Sequence, residues 1–473
     1  MCAATFIVIM DGSIVFVAVP SIQQDLGLSL NGIQWFLNSY LLAFGGLLLL
    51  GGRAADLLGR RRVFMVGVGL VTLSSLLCGL AWSPEVLIAA RAAQGISAAI
   101  MTPTALSLLL ATFAEGPERN RALGIWSASG GLGGIAGGLL GGPLTQGLGW
   151  QWIFFVIVPV GAAMFLLTPV LLRESRDRDR TRTYDVAGAV TITAALVLIV
   201  YAIVSVPAGG WGASGTVVPL LIGVLLLGLF VVIETRSASP LVPLRLFRSR
   251  HLVGGNLVMF AVGMCTQGAL GFAITQYAQV VLGYSALAFG LMLTLGAALS
   301  IVGSLIAGHV ATRFGVQPAA ILGLLLMGGG CLALTQISVQ GSYVRDILVG
   351  MALYGTGLGF AFVAGSIAAL NVRDEESGVA AGINNVAFQV GGALGIAILA
   401  TVAVSSADGP DPASALTDGL RASFTVGVVI AVLGLISALL FLGQRRSDAP
   451  VNTGGGDGAD RVDAVRVAVP LRD

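Results

Sequence analysis

Gly52-Arg53-Ala54-Ala55-Asp56-Leu57-Leu58-Gly59-Arg60-Arg61-Arg62 returns, thinned, as Gly308-His309-Val310-Ala311-Thr312-Arg313-Phe314-Gly315. The Gly, Ala and Gly keep their spacing, and the copies lie 308 − 52 = 256 residues apart. Each follows an apolar run long enough to cross a bilayer. A repeat on such a background means two homologous membrane-embedded halves. Six spans with their loops, at about 34 residues each, need only about 204 residues, so roughly 50 more stand between the halves. Residues 185–234 match that insertion, because they form two plain apolar stretches with no charge at their centres.

Composition agrees. Hydrophobic residues make up 56% of the 473 and charged residues 10%, with a mean hydropathy of +0.94. Soluble proteins carry about a quarter charged residues, so this chain cannot cover its surface in water and needs lipid as solvent. Fourteen apolar runs are predicted as transmembrane helices, near 3–22, 33–52, 63–81, 85–113, 120–143, 150–172, 185–206, 215–234, 252–274, 286–308, 317–337, 345–369, 378–404 and 420–443. The expected fold is an all-α polytopic membrane protein, two six-helix bundles plus two extra central helices. Its parts are a first bundle at 1–172, linkers and the added pair at 173–250, a second bundle at 251–443 and a disordered tail at 444–473.

All 25 basic residues are Arg, against 23 acids, so a net charge of +2 says nothing about nucleic acid. Their placement says more. Nineteen Arg, from Arg53 to Arg446, fall on one side of the spans, and only Arg345 and Arg421 fall on the other. The positive-inside rule then puts both termini in the cytoplasm, which requires an even number of spans. Arg in place of Lys, with abundant Gly, Ala and Val, suggests a GC-rich bacterial source and an inner-membrane location. Residues 2–20 lack a basic leader and contain Asp11, so they read as a retained helix. Cys2, Cys78, Cys265 and Cys331 stand singly and read as packing residues.

Several motifs resemble those of the major facilitator superfamily, and specifically its fourteen-helix drug:proton antiporter family, a family of multidrug efflux transporters. Met10 through Pro20 is similar to the family's span 1 motif, Gly52 through Arg62 to the loop 2–3 motif, and Arg91-Ala92-Ala93-Gln94-Gly95 to the span 4 motif. Gly130 through Gly142 resembles the antiporter motif of span 5, although Gly138 stands where a Pro is usual. Gln34 through Tyr40 and Ser377 through Gly395 also look like this branch. The resemblance implies a multidrug exporter that works by alternating access and is driven by protons, with no ATP and no cofactor.

Asp11 and Arg91 are the charged side chains that fall well inside spans. Each costs about 2.5–3.5 kcal/mol at the bilayer centre, so each needs a reason to be there. They form either a structural pair or a proton-coupling site in which Asp11 takes up and releases the proton; the resemblance implies that Arg91 steers it. Arg91 could instead snorkel to the outer interface. In the loop motif, Gly52 and Gly59 are expected to permit a close turn. Asp56, Arg60 and Arg61 are expected to bridge to neighbouring helix ends, with Asp56 gating against the start of the thirteenth span.

Gly130, Gly134, Gly138 and Gly142 form one row in span 5, with Gly133, Gly137 and Gly141 beside it. Small residues let backbones approach, either for plain packing or as a face that slides against the other half. Candidate substrate-binding residues in a central cavity are Trp35, Asn38, Tyr40, Gln94, Gln267, Gln276, Asn384, Asn385, Phe388 and Gln389; the amides could equally be interhelical glue. Neutral amides with aromatics suit amphipathic organic molecules. The sequence offers no P-loop, metal cluster or paired nucleophile and base, so neither an enzyme nor an ATP-driven pump is expected. A monomer using the proton gradient is. Proton-coupled uptake and a non-transporting sensor are the alternatives.

Overall fold

The computed structural model describes residues 1–113, 116–172, 174, 185–237, 240–373 and 376–443, and all regular structure among them is helical. Fourteen helices are long and apolar enough to span a membrane. Spans 1 to 6 are Cys2–Leu26, Leu30–Leu58, Arg60–Gly79, Pro84–Thr112, Pro117–Gly147 and Trp152–Leu171. Spans 7 and 8 are Val186–Gly209 and Ser214–Arg236. Spans 9 to 14 are Arg250–Val281, Ala286–Phe314, Val316–Leu334, Tyr343–Ala369, Ser377–Ser405 and Pro412–Phe441. Helices are what lipid demands, because each helix satisfies its own backbone groups. The tail at 444–473 and most of the linker after span 6 lie outside the described residues.

Two boundaries differ instructively from the sequence reading. Gly52 is not part of a turn: span 2 runs on through it to Leu58, and a Cβ at Gly52 would rest against Pro103 of span 4. The turn is made by Gly59 alone, with φ 108°, and its counterpart in the repeat, Gly315, has φ 94°. Positive φ is cheap only for glycine, so a single residue separates two helices in each half. Span 14 begins at Pro412, where a capping box on Asp411 starts it. Arg421 is therefore the tenth residue of the helix and not its second; its Nε donates to the Ile337 carbonyl at 2.8 Å.

The halves repeat in their packing. Spans 1 and 5, 2 and 4, 3 and 4, and 3 and 6 meet in the first; spans 9 and 13, 10 and 12, 11 and 12, and 11 and 14 meet in the second. Across the halves, span 2 lies on span 13 and span 5 on span 10, and the repeat exchanges these two contacts. The added pair forms a hairpin on one of these seams. Its span 7 touches both halves: Thr193 meets Gly46 of span 2, the Tyr201 ring lies 6.2 Å from that of Trp35, and Thr401 of span 13 donates to the Ile203 carbonyl at 3.1 Å. Span 8 packs on span 7 through Gly223, against Ala195 and Ile199.

The glycine face of span 5 divides in two. Gly133, Gly137 and Gly141 meet span 1: a Cβ would lie 2.5 Å from the Phe6 carbonyl, 2.9 Å from the Met10 carbonyl and 3.1 Å from Ile14, respectively. Gly130 and Gly134 also face span 1, at Thr5 and Ile9. Gly138 and Gly142 instead meet span 10 of the other half, 2.8 Å from the Gly290 carbonyl and 2.5 Å from Leu287 Cα. Of the seven, only Gly138 and Gly142 face the other half; the other five pack against span 1 within one bundle, which narrows the expected sliding face to that pair. The closest approach of spans 5 and 10 is in their outer halves, whereas Gly124, nearer the Arg-rich side, has nothing within 4 Å of a Cβ position.

Substitution should separate the two rows. Gly137→Leu must overpack one bundle and is expected to cost about 1–3 kcal/mol or more of stability, read as a lower thermal unfolding midpoint. Gly138→Leu leaves each bundle intact and wedges their outer halves apart. It is expected to speed labelling of a Thr294→Cys thiol by an impermeant maleimide, while the midpoint changes little.

Candidate functional site

The span 4 motif is legible in the geometry. Gly95 lets span 4 lie against span 2, since a Cβ there would overlap the Tyr40 carbonyl and come within 2.9 Å of Ala43 Cβ. One turn earlier, Arg91 is thereby set over the Tyr40 ring, 4.4 Å from its centroid, with Phe36 at 5.5 Å and Phe154 at 6.0 Å. Gln94 is three residues from Arg91, so both side chains leave the same face. Across from them is Asp11, the tenth residue of the 25-residue span 1.

These groups form a closed network. Arg91 Nη1 donates to Asp11 Oδ2 and to Gln94 Oε1, both at 2.7 Å. Gln94 Nε2 donates to Asp11 Oδ1 at 3.3 Å and to Ser75 Oγ at 2.8 Å. The Cys78 thiol donates to Gln94 Oε1 at 3.6 Å. Asp11 is 3% exposed and Arg91 2%, so Arg91 does not snorkel. Its charge is met by Asp11 on one side and by three aromatic rings on others, and a desolvated cation over a ring gains about 2 kcal/mol. The buried guanidinium Nε is left without a hydrogen-bond partner.

Sequence reasoning found Asp11, Arg91 and Gln94 but missed the residues that hold them. Ser75 and Cys78 are small polar residues in an apolar run, and Phe36 and Phe154 look like any core phenylalanine. It also missed Asp185 and Glu234 at the base of the hairpin. Both stand at span ends and are nonetheless only 6% and 3% exposed. Asp185 caps span 7 through the Gly188 N–H, and Glu234 accepts from the Val242 N–H at 3.2 Å.

In the loop motif, Arg61 reaches the end of span 6. Its backbone N–H donates to Glu174 Oε1 at 3.1 Å, and its Nη1 donates to the carbonyls of Pro169 and Leu172 at 3.4 and 3.3 Å. A cation at a helix C-terminus meets the negative end of the macrodipole, so Arg61 ties spans 3 and 6 within one half. Arg62 lies 3.7 Å from Glu174, an exposed pair of little weight. Arg60 opens span 3. The side chain of Asp56, and with it the expected gating contact, lies outside the described residues; span 13 does begin at Ser377.

The candidate substrate residues have different neighbours. Gln94 and Tyr40 belong to the charge network, and Trp35 faces the hairpin. Asn384 is tied inside the second half, donating to Asn256 Oδ1 and accepting from Ser366 Oγ, both at 3.4 Å. Phe388 stacks edge-on against Phe362 at 5.8 Å. Gln389 packs beside Gly45 at the seam of spans 2 and 13, and Gln267 lies over Gly392 of span 13. Asn385 is half-buried and Asn38 fully buried. Gln276 lies far from the midplane, five residues before the outer end of span 9. The sequence grouped these residues by chemistry, and the helices distribute them over several interfaces.

Known proteins bear on this arrangement. A family model described as Major Facilitator Superfamily matches residues 1–396 and 252–471. The chain is 39% identical to the cephamycin export protein CmcT of Amycolatopsis lactamdurans, over 93% of this chain and 91% of that one. It is 38% identical to the puromycin resistance protein pur8 of Streptomyces alboniger, over 96% and 92%. Among solved structures, a bacterial homolog of the lysosomal transporter Spinster, in an inward-facing and unoccupied conformation, aligns with a TM-score of 0.64 at 18% identity, covering 93% of this chain and 96% of that one. With fourteen spans in two repeated bundles and matches of this extent, the chain is a multi-pass membrane protein that belongs to the major facilitator superfamily.

Proposed function

We propose that the chain exports uncharged or amphipathic small molecules, antibiotics among them, in exchange for protons. One observation carries the reading: a carboxylate near the centre of span 1, sealed from solvent and matched to a single arginine. Relatives named for cephamycin export and puromycin resistance supply the direction and the substrate class.

The mechanism follows from the pair. While Asp11 and Arg91 are joined, both carboxylate oxygens are engaged, Oδ2 by the guanidinium and Oδ1 by the Gln94 amide. In the proposed cycle a second conformation parts them, water reaches Asp11, and a proton takes the place of Arg91 on the carboxylate. A proton binding one state better than the other shifts the equilibrium between them by that difference. Protonation thus favours the parted state, and re-pairing drives the proton off on the opposite side. One proton entering across about 150 mV releases roughly 3.5 kcal/mol, enough for a gradient of about 300-fold in an uncharged substrate. No covalent step and no bound cofactor is needed.

Dye export from inverted vesicles under an imposed pH difference tests this. Asp11→Asn is expected to reduce driven export to background. It also leaves Arg91 buried without its counter-ion, which is expected to lower stability by about 3–5 kcal/mol. Joining it to Arg91→Gln removes both charges, and most of that stability should return. The double variant separates the roles: folded and unable to couple, it supports the proposal, whereas folded and still proton-driven, it makes the pair structural.

Arg91→Lys keeps the charge and loses the planar group that stacks on Tyr40. Driven export is expected to fall about tenfold or more, given the roughly 2 kcal/mol of the stacked cation. Export at the native rate would show that charge alone suffices.

A further inference from the structure

A cavity of about 300 Å³ lies at the outer ends of the spans, closed by spans 1 and 2 of the first half and by spans 9, 13 and 14 of the second. Its lining is apolar, with Leu30, Phe272, Val280, Ala403 and Leu416, apart from glutamine side chains such as Gln276, and no charged side chain borders it. Gln276 is 2% exposed, and neither its Nε2 nor its Oε1 has a hydrogen-bond partner. A buried amide left so costs about 1–3 kcal/mol for each unmade bond, so packing alone would favour a leucine.

The winding of span 9 aims this amide. Cys265–Ala273 and Gln276–Val281 are π-helical. Gln267 and Gln276 are nine residues apart, which in an α-helix of about 3.6 residues per turn would put them on opposite faces. The wider π turns bring both to span 13: Gln267 lies over Gly392, and Gln276 shares the cavity with Ala403. Such turns recur at functional sites. Along span 2, Leu30, Gln34 and Asn38 share a face at four-residue spacing. Gln34 Oε1 and both amide atoms of Asn38 are likewise buried without partners. Unspent amide groups therefore run from the interior of the first half toward the cavity.

We infer that this cavity is an exit site, which receives uncharged amphipathic molecules bearing an amide, carbonyl or hydroxyl group and binds that group through Gln276. The inference rests on the export reading. The absence of charge on the walls selects for uncharged ligands, and the volume matches the lower end of small-molecule sites.

The full-length chain in vesicles of phosphatidylethanolamine and phosphatidylglycerol provides the test, with chloramphenicol as uncharged probe and ethidium as cationic probe. A cysteine replacing Ala407, on the cavity rim, is labelled from outside by an impermeant maleimide in a Cys2→Ser background. Chloramphenicol is expected to slow this labelling, and Gln276→Leu to abolish the protection. Gln276→Leu should also raise the half-saturating chloramphenicol concentration for export about two- to tenfold, the worth of one neutral hydrogen bond. Ethidium export should hold, and Gln276→Asn should retain part of the protection. Gln276→Leu should fold at least as stably as the native chain, which separates a ligand role from a packing role. Export of neither probe removes the export reading, while protection at the rim still reads the site. Export with no protection and an unchanged half-saturating concentration overturns the exit site alone.

Discussion

Everything in the first bundle is arranged around the cost of a charge in lipid. A lone charge in the bilayer is costly, and Asp11 and Arg91 meet that cost as a pair that their surroundings complete. Gly95 allows the approach of spans 2 and 4 that puts an aromatic face under the guanidinium. Gln94 bonds to both ions, and Ser75 holds Gln94. Five of the six helices thus contribute to one salt bridge. In the proposed exchange the cost of breaking it is also what makes it useful, because whatever parts the pair is felt by the whole bundle.

The fold was legible in the sequence because lipid leaves few options. Apolar length gave the fourteen spans, Arg placement gave their direction, and the spacing of Gly52 and Gly308 gave the two halves. Charge scarcity pointed to Asp11 and Arg91 for the same reason. What stayed hidden depends on helix rotation and tilt, on which spacing is silent. The span 5 glycines form two rows in any helical drawing, yet which row meets which neighbour is set by packing. Gln276 was a cavity candidate just past the expected end of span 9 at 274, and neither the longer helix nor the π turns that aim it leave a mark in the pattern. Ser75 was invisible because its role lies in what it holds.

The seam between the halves has its own symmetry. The contact of span 2 with span 13 and that of span 5 with span 10 are exchanged by the repeat, so a rocking motion treats both alike. The chain breaks this equality by placing its added hairpin on one of them. Span 7 bonds to span 13 through Thr401 and packs on span 2 through Gly46, and so it is joined to both moving parts.

That position matters for a pump whose cargo dissolves in fat. A carrier for sugars loses nothing at an open flank, because its substrate will not enter a bilayer. A compound at home among acyl chains would slip sideways through such a gap into the leaflet it came from, and the proton spent on it would be wasted. Span 7 is laid along the cleft of spans 2 and 13, and the flank of spans 5 and 10 is closed, backbone against backbone, in its outer half. On the export reading the two extra helices would insulate one flank, and their worth would show in tightness of coupling more than in speed.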